Sequence, residues 1–414
     1  MIAAVITVGD ELLNGQTVDT NSAWLGEKLN EIGVTLSLKL SVGDTTQDII
    51  NGLTYATEHA EIILMTGGLG PTNDDITKVA LADFVGDQLS FSEETFLRIK
   101  GLFESRGRPV LEAHRSQCYM PSTAQLITNP QGTAPGMWID HLETIILSMP
   151  GVPREMKAIM ESAGLLKIKS LVRGSHIHHH IIQTAGTGES VIAERIEDIV
   201  DTFPPELSIA YLPGLASVKL RLTAKTRTEH DAMTLTAQYG VKIQERLGDI
   251  VFGIGKDSLP AALGRLCREK QVTIATAESC TGGGIGHALV QVPGSSAYYL
   301  GSIVSYSNTL KENLLNVLQQ TLINHGAVSE ETVIEMIHGL TDQTGCDVGV
   351  AVSGIAGPGG GSAEKPVGTI WLAIGNKSTC KTRKLQLVKN RKINIDYTII
   401  TAMNELRLFI EKNF

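Results

Sequence analysis

Short apolar runs alternate with stretches of helical spacing along this chain, and that alternation restricts the fold more than any single motif. In the first 165 residues the spacing predicts strands over Ile2 to Val8, Val34 to Val42, Glu61 to Thr66 and Glu143 to Met149. Helices are predicted over Asn21 to Ile32, Thr46 to Glu58, Asp75 to Phe84 and Pro153 to Glu161. A βα rhythm of this kind gives a largely parallel sheet covered by helices. Three loops follow predicted strand ends: Gly9-Asp10-Glu11, Gly67-Gly68-Leu69-Gly70 and Pro150-Gly151-Val152-Pro153. Such loops are where open α/β sheets bind ligands.

At 414 residues the chain exceeds one ordinary core. The rhythm changes to a short α+β pattern in the middle, with strands near Ile177 to Thr184, Ser208 to Tyr211 and Ser217 to Ala224, and helices near Ser190 to Asp201 and Glu229 to Leu247. It then returns to βα alternation. Asp257 or Ser258 supplies an N-cap there, Pro260 lies in the first helical turn, and an amphipathic helix from about Ile393 to Glu411 ends the chain. The expected class is α/β with three domains, 1–166, 167–254 and 255–414.

The formal charge of −9 argues against broad contact with a phosphate backbone, so nucleic acid is not the default partner. Five scattered cysteines, never in a C-x-x-C pair, indicate neither a disulfide framework nor a structural zinc site. Met1-Ile-Ala-Ala-Val-Ile-Thr-Val reads as a first core strand rather than a signal peptide, and no run approaches the roughly 20 apolar residues of a membrane span. The expected setting is cytoplasmic, away from membranes.

Two glycine-rich turns mark the last domain. Thr276-Ala-Glu-Ser-Cys-Thr-Gly-Gly-Gly284 follows the apolar run from Val272, and Ser353-Gly-Ile-Ala-Gly-Pro-Gly-Gly-Gly361 follows Val348 to Val352. Together they suggest a pocket for a phosphorylated small molecule. Ser279 sits in the first turn as a candidate nucleophile, with oxyanion donors expected from the backbone around Gly282 and Gly283. His287 falls inside the next helix, so the better base is a lysine whose burial lowers its pKa. Lys311, in Tyr306-Ser-Asn-Thr-Leu-Lys311, is the candidate, although its spacing from Ser279 matches no S-x-x-K motif. Competing readings stand beside these. Cys280 is the stronger nucleophile chemically, or else a small packed residue; Glu278 serves the site or complements a helix dipole; Lys311 is a base or a solvated helix lysine.

The ordered set Thr-Ala-Glu-Ser-Cys-Thr-Gly-Gly, Pro-Gly-Ser-Ser-Ala (293–297), Tyr-Ser-Asn-x-x-Lys, His-Gly-Ala-Val-Ser (325–329), Ser-Gly-Ile-Ala-Gly-Pro-x-Gly-Gly and Lys-Pro-Val-Gly-Thr (365–369) resembles the bacterial nicotinamide mononucleotide deamidases. The resemblance implies a cofactor-free serine amidohydrolase with a Ser279/Lys311 dyad, converting nicotinamide mononucleotide to nicotinate mononucleotide and ammonia. It further implies that Tyr306 and Ser296 order the lysine or contact the amide. Glu278, Cys280, Thr281, Gly282 and Gly283 would line the substrate. Gly354, Ala356, Gly357 and Gly360 would hold its phosphate or ribose through backbone N–H groups.

In the first domain, Gly9-Asp-Glu-Leu-Leu-x-Gly-x-x-x-Asp-Thr-Asn21 and Thr66-Gly-Gly-Leu-Gly-Pro-Thr-Asn-Asp-Asp75 collect acids, amides and a glycine nest at neighbouring strand ends. Glycine turns bring N–H groups to phosphate oxygens, and carboxylates suit a divalent cation, so metal-assisted work on a phosphate ester or anhydride is suggested. Asp74 and Asp75 read equally well as caps of the following helix.

These motifs, with Met149-Pro-Gly-Val-Pro-Arg-Glu-Met156, resemble the molybdopterin-binding fold of the competence/damage-inducible protein A (CinA) family, whose deamidase-fused members match this chain from end to end. The resemblance implies a three-layer α/β/α first domain, a KH-like middle domain, and divalent-metal-dependent ADP-ribose pyrophosphatase activity giving AMP and ribose 5-phosphate. Carried over on that basis are Asp10, Glu11, Asn21, Asp74 and Asp75 for Mg, Mn or Co, and Thr66, Gly67, Gly68, Gly70, Pro150 and Gly151 for substrate. In the middle, Gln183-Thr-Ala-Gly-Thr-Gly-Glu-Ser190 has G-x-G rather than G-x-x-G spacing in acidic surroundings, so a spacer or homodimer role is expected over RNA binding. His176-Ile-His-His-His180 reads as a polar strand face or as a metal site. The reading is therefore a bifunctional hydrolase of pyridine-nucleotide fragments. Its alternatives are a non-enzymatic competence or DNA-repair accessory, and molybdopterin handling by the first domain.

Overall fold

The computed structural model describes residues 1–70, 75–105, 107, 109–172, 174 and 176–414, arranged as two compact units: Met1–His178 with Lys225–Ala232, and His179–Ala224 with Met233–Phe414. In the first unit β1 (Ile2–Val8), β2 (Thr35–Val42), β3 (Ile62–Thr66), β6 (Gln125–Ile127), β7 (Gly136–His141) and β8 (Thr144–Met149) form one sheet of order β2-β1-β3-β8-β7-β6. β4 (Leu89–Phe91) and β5 (Tyr119–Pro121) form a separate small ribbon. Helices α1 (Asp10–Leu13), α2 (Asn21–Glu31), α3 (Thr46–Thr57), α4 (Thr77–Val85), α5 (Glu93–Glu104), α6 (Glu112–Ser116), α7 (Pro153–Ile159) and α8 (Leu165–Leu171) lie between or beyond the strands.

Burial explains why β1 reads as an unbroken apolar run. Ala4, Ile6 and Val8 enter one core with Ile49 and Leu53 of α3, while Ala3 and Val5 enter another with Leu25 and Leu29 of α2. Period-two alternation thus feeds two cores, as a strand sandwiched between helix layers requires. The four strands β2, β1, β3 and β8 are parallel, as expected, but β7 and β6 run antiparallel beside them. These two strands and α5 were absent from the expected elements. β7 turns into β8 through Leu142, whose φ of 52° lies in the left-handed region without the glycine that normally announces such a turn.

The remaining strands form two sheets, the second wholly and the first largely within the second unit. β9 (His176–Ala185), β10 (Leu207–Gly214), β11 (Ser217–Thr226) and β12 (Val251–Ile254) form a sheet of order β10-β11-β9-β12, accompanied by α9 (Glu189–Val200) and α10 (Glu229–Leu247). The histidine run lies on β9. His179 Nδ1 bonds the Thr223 hydroxyl at 2.8 Å, and the His180 ring packs against Gly240. The polar strand face accounts for these contacts, and no group of three metal-holding side chains occurs among the described residues.

The other sheet has order β14-β13-β15-β16-β17, built from β13 (Ile274–Glu278), β14 (Tyr299–Val304), β15 (Val348–Gly354), β16 (Thr369–Gly375) and β17 (Cys380–Gln386). β14, β13 and β15 are parallel, and β16 and β17 add antiparallel. Around them lie α11 (Leu259–Lys270), α12 (Gly284–Val290), α13 (Asn308–Leu315), α14 (Gln319–His325), α15 (Glu330–Thr344) and α16 (Arg391–Asn413). Ser258 caps α11 through a 3.4 Å bond from the Ala261 amide, and Pro260 occupies the first turn, as the sequence predicts. No described helix is long and apolar enough to cross a membrane.

Candidate active site

Parallel strands release their chains at one edge, and β13 ends there at Glu278. The Ser279 amide still bonds Val352 O of β15 at 3.0 Å, so the nucleophile candidate is the first residue beyond the strand. The chain then turns through Gly282 (φ 62°) and Gly283 (φ 95°), a left-handed pair that glycine adopts without strain, and enters α12.

Glu278 is wholly buried and its carboxylate takes over the start of α12. It accepts from the amides of Gly283 (3.1 Å), Ile285 (3.0 Å) and Gly286 (2.9 Å), and from the hydroxyls of Thr281 (2.8 Å), Thr276 (3.1 Å) and Ser302 (3.3 Å). These bonds neutralise orphan donors of a helix N-terminus and place negative charge at its positive end. The helix-dipole reading of Glu278 therefore describes its contacts. Thr281 is likewise turned to Glu278 rather than outward. The Gly282 amide bonds Ser279 O at 3.1 Å and that of Gly283 is held by Glu278, so the expected oxyanion donors are already engaged. The amide of Cys280 makes no backbone hydrogen bond among the described residues.

β14 continues past its end by a bond from Ser305 N to Glu278 O at 2.8 Å, which lays the next loop along the Ser279 turn. Ser307 then caps α13 through the Leu310 amide, and the first turns of this helix bring Lys311 inward to 1 % exposure. Its Nζ lies 3.0 Å from Ser279 Oγ, 2.8 Å from Ser305 O and 3.4 Å from Tyr306 O. Burial pushes its pKa below the usual lysine value. Lys311 is thus no solvated helix lysine.

Cys280 points the other way. It belongs to the core with Ile285 and Ile370, and burial pushes its thiol up to about 12, far from the thiolate a nucleophile needs. Tyr306 is 61 % exposed and contacts the lysine through its carbonyl, while its phenol accepts from Arg391 at 3.3 Å. Ser296 is not brought to the dyad. It precedes β14, and the parallel register Ile274↔Tyr299, Glu278↔Val304 puts it at the opposite end of the sheet, roughly 15 Å away at about 3.3 Å per residue. Position along a motif does not reveal the end of a strand at which a residue falls.

The second glycine turn leaves β15 beside the first. Gly354 has no room for a side chain, since a Cβ would meet Ile370 at 2.5 Å. Ala356 is buried and its carbonyl accepts from Asn394 at 3.0 Å; that of Gly357 accepts from Arg391 at 2.9 Å. Gly360 (φ 86°) lies further out on the exposed loop.

In the first unit the ends of β1, β3 and β8 converge. Thr66 Oγ1 donates to Pro150 O at 2.9 Å, and Asn21 Nδ2 donates to Thr66 Oγ1 at 3.1 Å and Gly151 O at 2.8 Å. A Cβ on Gly67 would lie 2.2 Å from Val8 O, one on Gly68 2.1 Å from Thr77 Oγ1, and one on Gly70 2.4 Å from the Asp75 carboxylate. The expected substrate residues Thr66, Gly67, Gly68, Gly70, Pro150 and Gly151 thus stand together. Of the expected cation donors, four lie among the described residues. Asp10 and Glu11 are exposed on α1, where the amides of Asp10 and Asp44 each donate to the other's carboxylate, and Asn21 donates its Nδ2 to Thr66 and Gly151 while its Oδ1 is buried without a hydrogen-bond partner. Asp74 lies outside the described residues. Asp10, Glu11 and Asp75 form no group of three acids or ligands that could hold a metal.

Three family models match in succession: "Probable molybdopterin binding domain" over residues 4–169, "Damage-inducible protein CinA KH domain" over 179–253 and "CinA C-terminal domain" over 256–410. A CinA-like protein of Cytophaga hutchinsonii is 42 % identical over 98 % of this chain and 97 % of its own length. This chain belongs to the CinA family. A CinA-like protein of Salinibacter ruber is 39 % identical, over 98 % of this chain and 99 % of that one. Among solved structures, a CinA superfamily protein from Klebsiella pneumoniae matches with 33 % identity and a TM-score of 0.36, covering 37 % of this chain and 96 % of its own. The CinA architecture is therefore a molybdopterin-binding-like domain, a KH domain and a CinA C-terminal domain, and the paired serine and lysine lie in the last.

Proposed function

We propose that the C-terminal domain is a serine amidohydrolase that converts nicotinamide mononucleotide to nicotinate mononucleotide and ammonia. The observation that carries this reading is the surroundings of the Lys311 amine. A neutral amine has two N–H hydrogens and one lone pair. Two of its three neighbours, Ser305 O and Tyr306 O, only accept, so they take the hydrogens, and the lone pair faces the Ser279 hydroxyl. Burial lowers the ammonium pKa and so favours the neutral form.

Ser279 Oγ attacks the carboxamide carbon as Lys311 takes its proton. The Cys280 amide, next after the nucleophile and without a backbone acceptor among the described residues, is the donor this reading assigns to the developing oxyanion. Collapse breaks the C–N bond, Lys311 returns the proton to the departing nitrogen, and ammonia leaves an acyl-Ser279. A water, deprotonated by Lys311, cleaves the ester and restores the serine. Ammonia release by wild type, lost in both Ser279→Ala and Lys311→Ala with circular dichroism unchanged, is the expected result; turnover by either variant removes the proposal.

For the N-terminal domain we propose hydrolysis of ADP-ribose to AMP and ribose 5-phosphate. The support is the convergence of the glycine-rich Gly67–Gly70 loop and the Pro150-Gly151 loop at the ends of β3 and β8, where Thr66 and Asn21 tie the two together and backbone amides lie at the strand ends that bind phosphates in such folds. Because the described acids do not assemble around a cation, no step is assigned to one. AMP formation assayed with Mg, Mn, Co and chelator tests both parts, and no AMP in any of them sinks the activity.

A further inference from the structure

We propose that Arg391, a residue no motif singled out, reads the phosphate of the mononucleotide and so makes the site selective for phosphorylated substrates. This rests on the deamidase reading above.

Arg391 opens α16 and spans the two loops that flank the dyad. One Nη donates to Gly357 O of the glycine turn at 2.9 Å, the other to the Tyr306 phenol at 3.3 Å. Since the carbonyl of the same tyrosine accepts from Lys311, the guanidinium stands one tyrosine side chain from the catalytic amine. A guanidinium has five N–H donors, and these contacts use two.

Its charge is also uncompensated. Lys392 pairs with Asp396, and Lys381 and Arg383 pair with Glu405, but no carboxylate pairs with Arg391 among the described residues. A cation in the first turn of a 23-residue helix opposes the helix dipole. An anionic ligand relieves that cost. The charge reaches the nucleophile turn: burial raises the Cys280 thiol pKa, and Arg391 is among the groups that pull it back.

Other phosphate sites nearby are occupied. Lys311 spends its amine on Ser279 and two carbonyls, and the amides opening α12, otherwise an anion site, are held by Glu278. Arg391 with the glycine turn remains, and a planar fork suits a phosphate better than an ammonium does.

The test compares ammonia release from nicotinamide mononucleotide and from nicotinamide riboside, which lacks only the phosphate, in wild type, Arg391→Gln and Arg391→Lys, with unfolding midpoints recorded. Loss of a charge-assisted bond predicts that Arg391→Gln lowers the mononucleotide-to-riboside ratio of kcat/KM by about tenfold or more, chiefly through KM, with Arg391→Lys in between. An unchanged ratio in Arg391→Gln, whether or not both activities fall, overturns the assignment and leaves the deamidase reading intact. No ammonia from wild type with either substrate overturns the deamidase reading itself.

Discussion

Lys311 Nζ and Ser279 Oγ are separated by 32 residues of chain and by 3.0 Å of space. The continuation of the β13–β14 pairing one residue past the end of β14, and one helix cap at Ser307, are enough to close that gap. Replacing Ser279 with Ala removes only the nucleophile; ammonia release should fall to background while the unfolding midpoint stays within a degree or two. Cys280→Ala should keep turnover, at about 1–2 kcal/mol of stability for the lost packing. Inactivation by the cysteine change alone, in a folded protein, would reverse the assignment of nucleophile.

The dyad makes the reaction sensitive to alkali in a defined direction. Lys311 must be neutral to act, so kcat should rise with pH along a limb whose midpoint lies below the ordinary lysine value of 10.5. Stability follows the same sign. With the folded pKa lowered, the unfolded chain binds more protons between that lowered value and 10.5, and stability increases as pH rises through the window. Lys311→Met should therefore gain stability relative to wild type as pH falls across it. Parallel pH–stability curves for the two proteins, from urea titrations, would contradict this.

Glu278→Ala leaves three amide donors of α12 without an acceptor in a closed environment. Each costs about 1–3 kcal/mol, and a total loss of more than about 3 kcal/mol is expected. Glu278→Gln, with one acceptor oxygen instead of two, should fall between. Urea midpoints measure the order, and an Ala variant as stable as wild type would show that the carboxylate is dispensable.

Gly339 offers a probe from the far side. A Cβ there would lie 1.9 Å from Leu315 O, the end of the helix carrying Lys311. Gly339→Ala must push α13 and α15 apart at about 1–3 kcal/mol, and the displaced amine should lower kcat more than it raises KM. Unaltered kcat in a destabilised variant would show that α13 absorbs the shift without moving the dyad.

Much of the fold was legible because apolar periodicity is written locally. β1, α3, α10 and the Ser258–Pro260 start of α11 lie within a residue or so of expectation. β6 and β7 were missed because one has three residues and the other turns at a left-handed leucine. The site was less legible. Period and spacing located the Ser279 turn and offered Lys311 as a base that the resemblance strengthened, and the helix-dipole reading of Glu278 anticipated its role, though not that it would hold the amides of Gly283, Ile285 and Gly286 together. Tertiary pairing also decided the remaining positions: Ser296 at the end of β14 away from the dyad, and Arg391, 85 residues beyond Tyr306, beside it.

α12 is seven residues long, too short to persist by itself, and its acceptor is the final residue of a neighbouring strand. The turn that presents the serine therefore cannot form ahead of the sheet or outlast it. Turnover becomes a gauge of the whole sheet: β13 lies between β14 and β15 and opens only with them, so on warming the chemistry and the folded signal of this sheet should be lost together.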